Sequence, residues 1–321
     1  MMRRSLWRRT SDANETGTVE EAPAEFIECT HPMKVVTIAS DLENPFLQRL
    51  LLPSCASVGI EPVVLHAKLT GRPLLPADKR AVLTRYLSSG LDRDELIVFT
   101  DAYDVVFVRG EKHIVEAYDG FAQPVVFSAE VNSWPLGVVG LALRPDPPVG
   151  PFPYLNSGGF IGPAGLLLDL CVRYPQAPSA RFEALERLRA HGLQPEVRYG
   201  WSDQYHWTLV QLLEPDTIGL DHDARLFHSY SPHLPYLEIA DAVYEAKEFT
   251  EGGTGSAVYQ RERPRLEALL AVPNQAAQLH FPSAIGKAVA LDLLNEGCLP
   301  DWLSEVLDAP ARLDDVQVYP I

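Results

Sequence analysis

Glu95-Leu-Ile-Val-Phe-Thr-Asp-Ala-Tyr-Asp-Val-Val-Phe-Val108 is an apolar run that two carboxylates, Asp101 and Asp104, interrupt before it resumes. Leu96 to Phe99 has the length and the β-branched and aromatic content of a strand buried on both faces, as strands of a parallel sheet are. Asp101 then sits at its carboxyl end. In open α/β sheets ligands bind in the crevice beyond those ends, so two acids there are placed to work. Residues three apart on an extended strand face opposite ways, so both carboxylates meet one ion only if the chain turns between them, with Tyr103 on the turn. Hard oxygen ligands of this kind suit Mg²⁺ or Mn²⁺. Spacing alone leaves a second reading open, in which two acids cap a strand-to-loop turn and face water.

Outward from this run the pattern is α/β. Val35-Val-Thr-Ile-Ala39 reads as a first strand, a helical pattern starts at Asn44-Pro45, and Pro62-Val-Val-Leu-His66 reads as a second strand. A β-α-β unit implies a parallel sheet with a right-handed crossover. A Gly/Pro-rich loop over 69–78 leads to a helix from Lys79 to Leu87 and then to the central strand. Val125-Val-Phe-Ser-Ala-Glu130 is another buried strand ending on an acid, and Tyr154-Leu-Asn-Ser-Gly-Gly-Phe-Ile-Gly162 reads as loop into strand. Further helices are expected from Pro163 to Val172, from Ser179 to Ala190 with Gly192 as its stop, and from Trp201 to Leu213 with Ser202 as N-cap. Short strand-like pieces follow at 218–221, 226–228 and 278–281, while 231–256 is poorly patterned. The expectation is a mostly parallel sheet flanked by helices, in a single domain over residues 33–321 behind a disordered N-terminal arm over 1–32.

Composition narrows the function. Lys and Arg number 27 against 43 Asp and Glu, a net charge of −16 that opposes broad contact with nucleic acid or anionic membranes. Cys29, Cys55, Cys171 and Cys298 are far apart and form no C-x-x-C, so they read as reduced thiols. No apolar run approaches the length of a membrane span, and a cytoplasmic protein is expected.

The chain resembles the glycosyltransferase domain of the procollagen lysyl hydroxylases and related collagen-type glycosyltransferases. The resemblance rests on pieces that occur in the family's order: Val36-Thr-Ile-Ala-Ser40, Phe99-Thr-Asp-Ala-Tyr-Asp-Val105, Phe127-Ser-Ala-Glu130 with Trp134-Pro135, Tyr154 to Gly162, Asp203-Gln204, Leu220-Asp-His222, and His280 with Gly286-Lys287. It implies a GT-A fold, a UDP-sugar donor (UDP-glucose or UDP-galactose), and a divalent cation, Mn²⁺ or Mg²⁺. Asp101, Asp104 and His280 are then the metal ligands. Thr37, Ser40, Lys79, Tyr103, Gly286 and Lys287 would contact the nucleotide, with Tyr103 stacked on uracil and the lysines on phosphates. Glu130, Trp134, Asn156 and Asp203 would surround the transferred sugar, where Gly158 and Gly159 bring bare backbone close.

Plainer readings stand beside these. Ser40 also serves as a capping hydroxyl, Lys79 as a solvated helix-start lysine, Trp134 as a core tryptophan, and the two glycines as a tight turn. Asp203 starts a helix, where an acid favours the dipole with no further role. His222 reads as a structural hydrogen-bonding histidine. The chain also departs from the family at Trp201 and Ser202, where further acids would precede Asp203. The expected function is metal-dependent transfer of a sugar from a UDP-sugar to a hydroxyl acceptor. The alternatives are a catalytically weak nucleotide-sugar-binding protein and a nucleotidyltransferase; Asp-x-x-Asp is the wrong spacing for a haloacid-type phosphatase.

Overall fold

The run at 95–108 divides between two sheets. In the computed structural model, which describes residues 32–68, 72–143, 149–232, 239–310 and 313–321 (of 239–242 and 315 the backbone alone), Leu96–Asp101 is a strand of the large sheet and Val105–Phe107 a strand of a small one. The expected arm lies, apart from Pro32, outside the described residues, as do residues 69–71 of the expected loop.

In chain order the elements are β1 (Met33–Ala39), a helix that is π-wound over Leu47–Leu51 and continues as α1 (Leu52–Ser57), β2 (Val63–His66), α2 (Lys79–Leu87), β3 (Leu96–Asp101), β4 (Val105–Phe107), α3 (Glu111–Tyr118), β5 (Val125–Glu130), α4 (Val138–Leu143), β6 (Tyr154–Pro163), α5 (Ala164–Arg173), α6 (Glu183–Ala190), α7 (Pro195–Tyr199), α8 (Asp203–Leu213), β7 (Ile218–Leu220), β8 (Phe227–Ser229), α9 (Ile239–Gly252), α10 (Ala257–Leu270), β9 (Gln278–His280), α11 (Ala284–Asn295), α12 (Asp301–Leu307) and β10 (Gln317–Pro320). The large sheet has the order β10-β2-β1-β3-β6-β5-β7. β1 runs parallel to β2 and β3, while β6 is antiparallel to both its neighbours, β3 and β5. The sheet is therefore mostly parallel, as expected, with β6 inserted against the grain.

Alternation along the central strands builds a core on each face of the sheet. Val36, Ile97, Phe99 and Phe127 pack on one side with α2, α5 and α8, and Val35, Leu96, Val98 and Val126 on the other with α1 and α3. Phe99, Phe160 and Phe127 stack in series at 4.7 and 4.6 Å, and Trp207 of α8 closes the row 5.2 Å from Phe127. Such ring pairs add about 0.5–1.5 kcal/mol each beyond the area they bury, which fixes α8, and hence Asp203 at its start, against the sheet.

The small sheet, β4-β9-β8, brings the far end of the chain to the acids. β9 pairs antiparallel with β4, setting His280 opposite Val105. The helices from α9 onward pack behind it around Val106, Leu279 and Phe281. No described helix is long and apolar enough to cross a membrane.

Candidate active site

β3 ends on Asp101, the chain bends through Ala102 and Tyr103, and Asp104 enters β4. That bend is what the spacing required. One ligand atom from each of Asp101, Asp104 and His280 lies within 4.8 Å of the others. His280 Nε2 faces Asp104 Oδ1 at 3.5 Å. This is too long for a good hydrogen bond; both atoms are buried and lack a hydrogen-bond partner among the described residues. Buried groups so oriented are costly unless something lies between them, and a carboxylate pair with an imidazole is a chemically suitable donor set for a divalent cation. The residues fit the ion that the resemblance implies.

Two lysines converge on the same acids. Lys79, the first residue of α2, reaches Asp101 at 2.5 Å and Asp203 at 3.7 Å, and Lys287 of α11 reaches Asp104 at 3.3 Å. Burial opposes the charge on Lys79, but Asp101 and Asp203 overcome it and raise its pKa. Asp104 is the mirror case: burial disfavours its charge, yet His280, Lys287 and Lys79 hold it well below the usual carboxylate range.

Beyond the acids opens a cleft of about 320 Å³, lined among others by Lys79, Asp101, Asp104, Glu130, Trp134, Asn156, Gly158, Asp203 and His280. Its floor is a bulge. β5 and β6 pair Phe127 with Phe160 but Ser128 with Asn156, so residues 157–159 loop out from β5. A Cβ on Gly158 would lie 2.2 Å from His280 Cε1, so only glycine lets the imidazole sit there. Asn156 is turned inward by two bonds: its Oδ1 accepts from Gly158 N at 2.9 Å and its Nδ2 donates to Glu130 at 3.0 Å. Glu130 also accepts from Gln204 at 2.8 Å and Ser231 at 2.6 Å. Burial pushes its pKa up, and those three donors hold it back. Asp203 follows the N-cap Ser202, whose hydroxyl accepts from Tyr205 N; burial raises its pKa, opposed by Lys79.

The remaining expected residues divide. Tyr103 is half-buried, and its hydroxyl accepts from the backbone N–H of Ser40 at 2.8 Å and of Asp41 at 2.7 Å, tying the turn between the acids to the end of β1. Thr37 is wholly buried and donates to Thr100 O at 2.8 Å, so it braces β1 against β3 and offers a ligand no surface. Gly286 donates its N–H to the Ser283 hydroxyl at 2.7 Å as part of the α11 cap, which takes up the amide that a phosphate would want. His222 Nδ1 donates to Phe152 O at 2.7 Å, as a structural histidine does. Gln204, Ser231 and Trp201 also line the cleft, though the sequence assigned none of them a role there. Gln204 carried a signal as the partner of Asp203 in the ordered motif, and Trp201 as a departure from the family's acids.

Residues 32–177 match the family model described as the PLOD GT domain. That stretch, just under half of the chain, is similar to the glycosyltransferase domain of that family. Procollagen-lysine,2-oxoglutarate 5-dioxygenase 1 of Mus musculus is 30% identical over 157 residues, 47% of this chain and 18% of that protein. The human 5-dioxygenase 2 is 36% identical over 79 residues, 22% of this chain and 10% of that one. The chain thus spans under a fifth of the curated relatives it matches. Among solved structures, apo mouse xyloside xylosyltransferase 1 aligns with 78% of this chain and 97% of its own at 10% identity and a TM-score of 0.43. The family match to this glycosyltransferase domain covers Asp101, Asp104, Glu130, Trp134 and Asn156, and ends before Asp203, His280 and Lys287, which geometry alone unites with them.

Proposed function

We propose that this glycosyltransferase uses a divalent cation, Mn²⁺ or Mg²⁺, and a UDP-sugar, UDP-glucose or UDP-galactose, to glycosylate a hydroxyl acceptor. The observation that carries the reading is the convergence of Asp101, Asp104 and His280 beside two lysines at the carboxyl end of β3. A cation held by those three ligands would supply charge neutralisation to the departing diphosphate. Lys79 and Lys287 are each within reach of a metal-binding acid, and an ammonium serves phosphate as a point charge, so both are assigned to the diphosphate. Tyr103, its hydroxyl pinned, is the ring assigned to uracil. Glu130, Asn156 and Trp134 form the sugar's floor and wall.

In the transfer, the bond from the anomeric carbon to the phosphate oxygen breaks, the UDP oxygen keeping the pair, and a bond to the acceptor oxygen forms. The acceptor's proton goes to a carboxylate. Asp203 is assigned to that hydroxyl, because burial raises its basicity while Lys79 keeps it positioned. The protein's contribution is placement and charge.

The test is incubation of the protein with a panel of UDP-sugars and Mn²⁺, following UDP release to water. Slow release from UDP-glucose or UDP-galactose, abolished by EDTA, is expected. No release above a protein-free blank, or pyrophosphate release from UTP with a sugar 1-phosphate, would overturn the reading in favour of a binding protein or a nucleotidyltransferase respectively.

A further inference from the structure

Trp201 stands at the rim of the cleft with no part in holding ion or donor. Its ring meets that of Trp134 edge to face, with centroids 6.0 Å apart and planes at 66°, and both line the cleft half-exposed. The polar atoms of Trp201 are engaged: its indole N–H donates to Arg198 O at 3.1 Å and its carbonyl accepts from Ala77 N at 3.1 Å. What remains for a ligand is a fixed hydrocarbon surface. Trp134 is fastened in turn, its carbonyl accepting from Gln204 Nε2 at 2.9 Å, the same amide that donates to Glu130. An aromatic corner is thereby tied to the acid on the cleft floor.

The charges beside that corner indicate what it takes. Each carboxylate lining the cleft already has its partner: Asp101 and Asp203 have Lys79, Asp104 has Lys287, Glu245 has Arg261, and Glu130 has three neutral donors. A cationic acceptor would meet like charge from Lys79, Lys287 and Arg261, which stand beside four of these five acids. A neutral pyranose would not: its C–H face lies on an aromatic ring while its hydroxyls hydrogen-bond to the remaining acceptor sites of neighbouring carboxylates and amides.

We infer that Trp201 is an acceptor-specificity residue, which stacks against a neutral pyranoside whose hydroxyl receives the transferred sugar, while Trp134, the wall of the donor sugar, holds the Trp201 ring edge to face. This rests on the glycosyl-transfer reading above and names the acceptor class within it.

The inference is tested by binding, without turnover. Saturation-transfer NMR titrations of methyl β-D-glucoside, methyl β-D-galactoside and methyl β-D-xyloside, with free hydroxylysine as the cationic comparison, are run on the wild type, Trp201→Ala and Trp201→Phe. At least one glycoside should saturate the wild type. Its Kd should rise about tenfold in Trp201→Ala, as loss of a stacked ring implies, and stay within about threefold in Trp201→Phe. Absence of saturable glycoside binding, an unchanged Kd in Trp201→Ala, or tighter binding of hydroxylysine than of any glycoside would overturn it. Failure of the UDP-release assay bears on the donor reading alone.

Discussion

Burial and charge act against each other at Asp104 and Asp203, and the two come out on opposite sides. Asp104 is driven below the usual carboxylate range by the cations around it, whereas Asp203, equally buried, is raised, with Asp101 adding to the effect of burial and only Lys79 and weaker contacts opposing. Carboxylates whose environments push their pKa values apart are suited to different tasks. Asp104 stays ionised for a cation, and Asp203 is the better proton acceptor. Two accounts of Asp203 then separate cleanly. As a helix-start acid alone it is worth about 0.3–1 kcal/mol, and Asp203→Asn would lower the melting temperature slightly and leave turnover alone. As the group on the acceptor hydroxyl, it should lower turnover by about 10²-fold or more in Asp203→Asn, with little change in melting temperature. The second outcome is expected, because Asp203 is buried in the cleft beside Lys79 rather than exposed on the helix end. Turnover and thermal melts on the one variant decide it.

Between residues and whole molecule stands the β6 bulge, the element that makes the site possible. Its offset against β5 directs Asn156 to Glu130 and leaves bare backbone beneath His280. Gly158→Ala would force a Cβ to within 2.2 Å of the imidazole. Overpacking of that kind destabilises by about 1–3 kcal/mol, and the ring that must move is an assigned metal ligand. Calorimetry on Gly158→Ala should therefore show weakened Mn²⁺ affinity together with a lower melting temperature; unchanged metal affinity would detach the bulge from the ion site. The two glycines at 158–159 were legible in the sequence as a close approach, but the partner was not, since it comes from β9. The same limit applies more widely. β1, β2, β3 and β5 are apolar runs long enough to read directly, and α2 starts at Lys79 and ends at Leu87 as expected. The reversed direction of β6 leaves no trace in a strand buried on both faces. β4, β8 and β9 are three residues each, too short for periodicity to show which sheet they join. α6 begins at Glu183 rather than Ser179, and α7 between it and α8 was not anticipated. α9 fell in the poorly patterned stretch at 231–256, no helix was expected where α10 to α12 form, and α10 even carries an internal proline, Pro264. Their apolar faces are defined only by the small sheet they cover.

Across the whole molecule, the candidate ion site is a junction between the chain's two halves. Asp101 and Asp104 come from the β3–β4 bend, while His280 ends β9 and Lys287 follows on α11. The β4–β9 pairing holds them together through backbone bonds that require no ion, including Phe281 N to Asp104 O at 2.8 Å. The site is thus preformed, and a ligand that binds only the folded state should stabilise the molecule in proportion to its affinity, by about 2.7 kcal/mol at a hundred times its Kd. Thermal melts with Mn²⁺ alone and with Mn²⁺ plus UDP then resolve the two downstream residues. His280→Ala should lose most of the shift given by Mn²⁺, as should Asp104→Asn, because each removes a ligand from a set of three. Lys287→Ala should keep the Mn²⁺ shift and lose much of the further increment from UDP, because its ammonium is assigned to the diphosphate and not to the ion. A Mn²⁺ shift in His280→Ala equal to that of the wild type would remove the histidine from the ion site. A UDP increment left intact in Lys287→Ala would leave that lysine as the structural partner of Asp104 and nothing more.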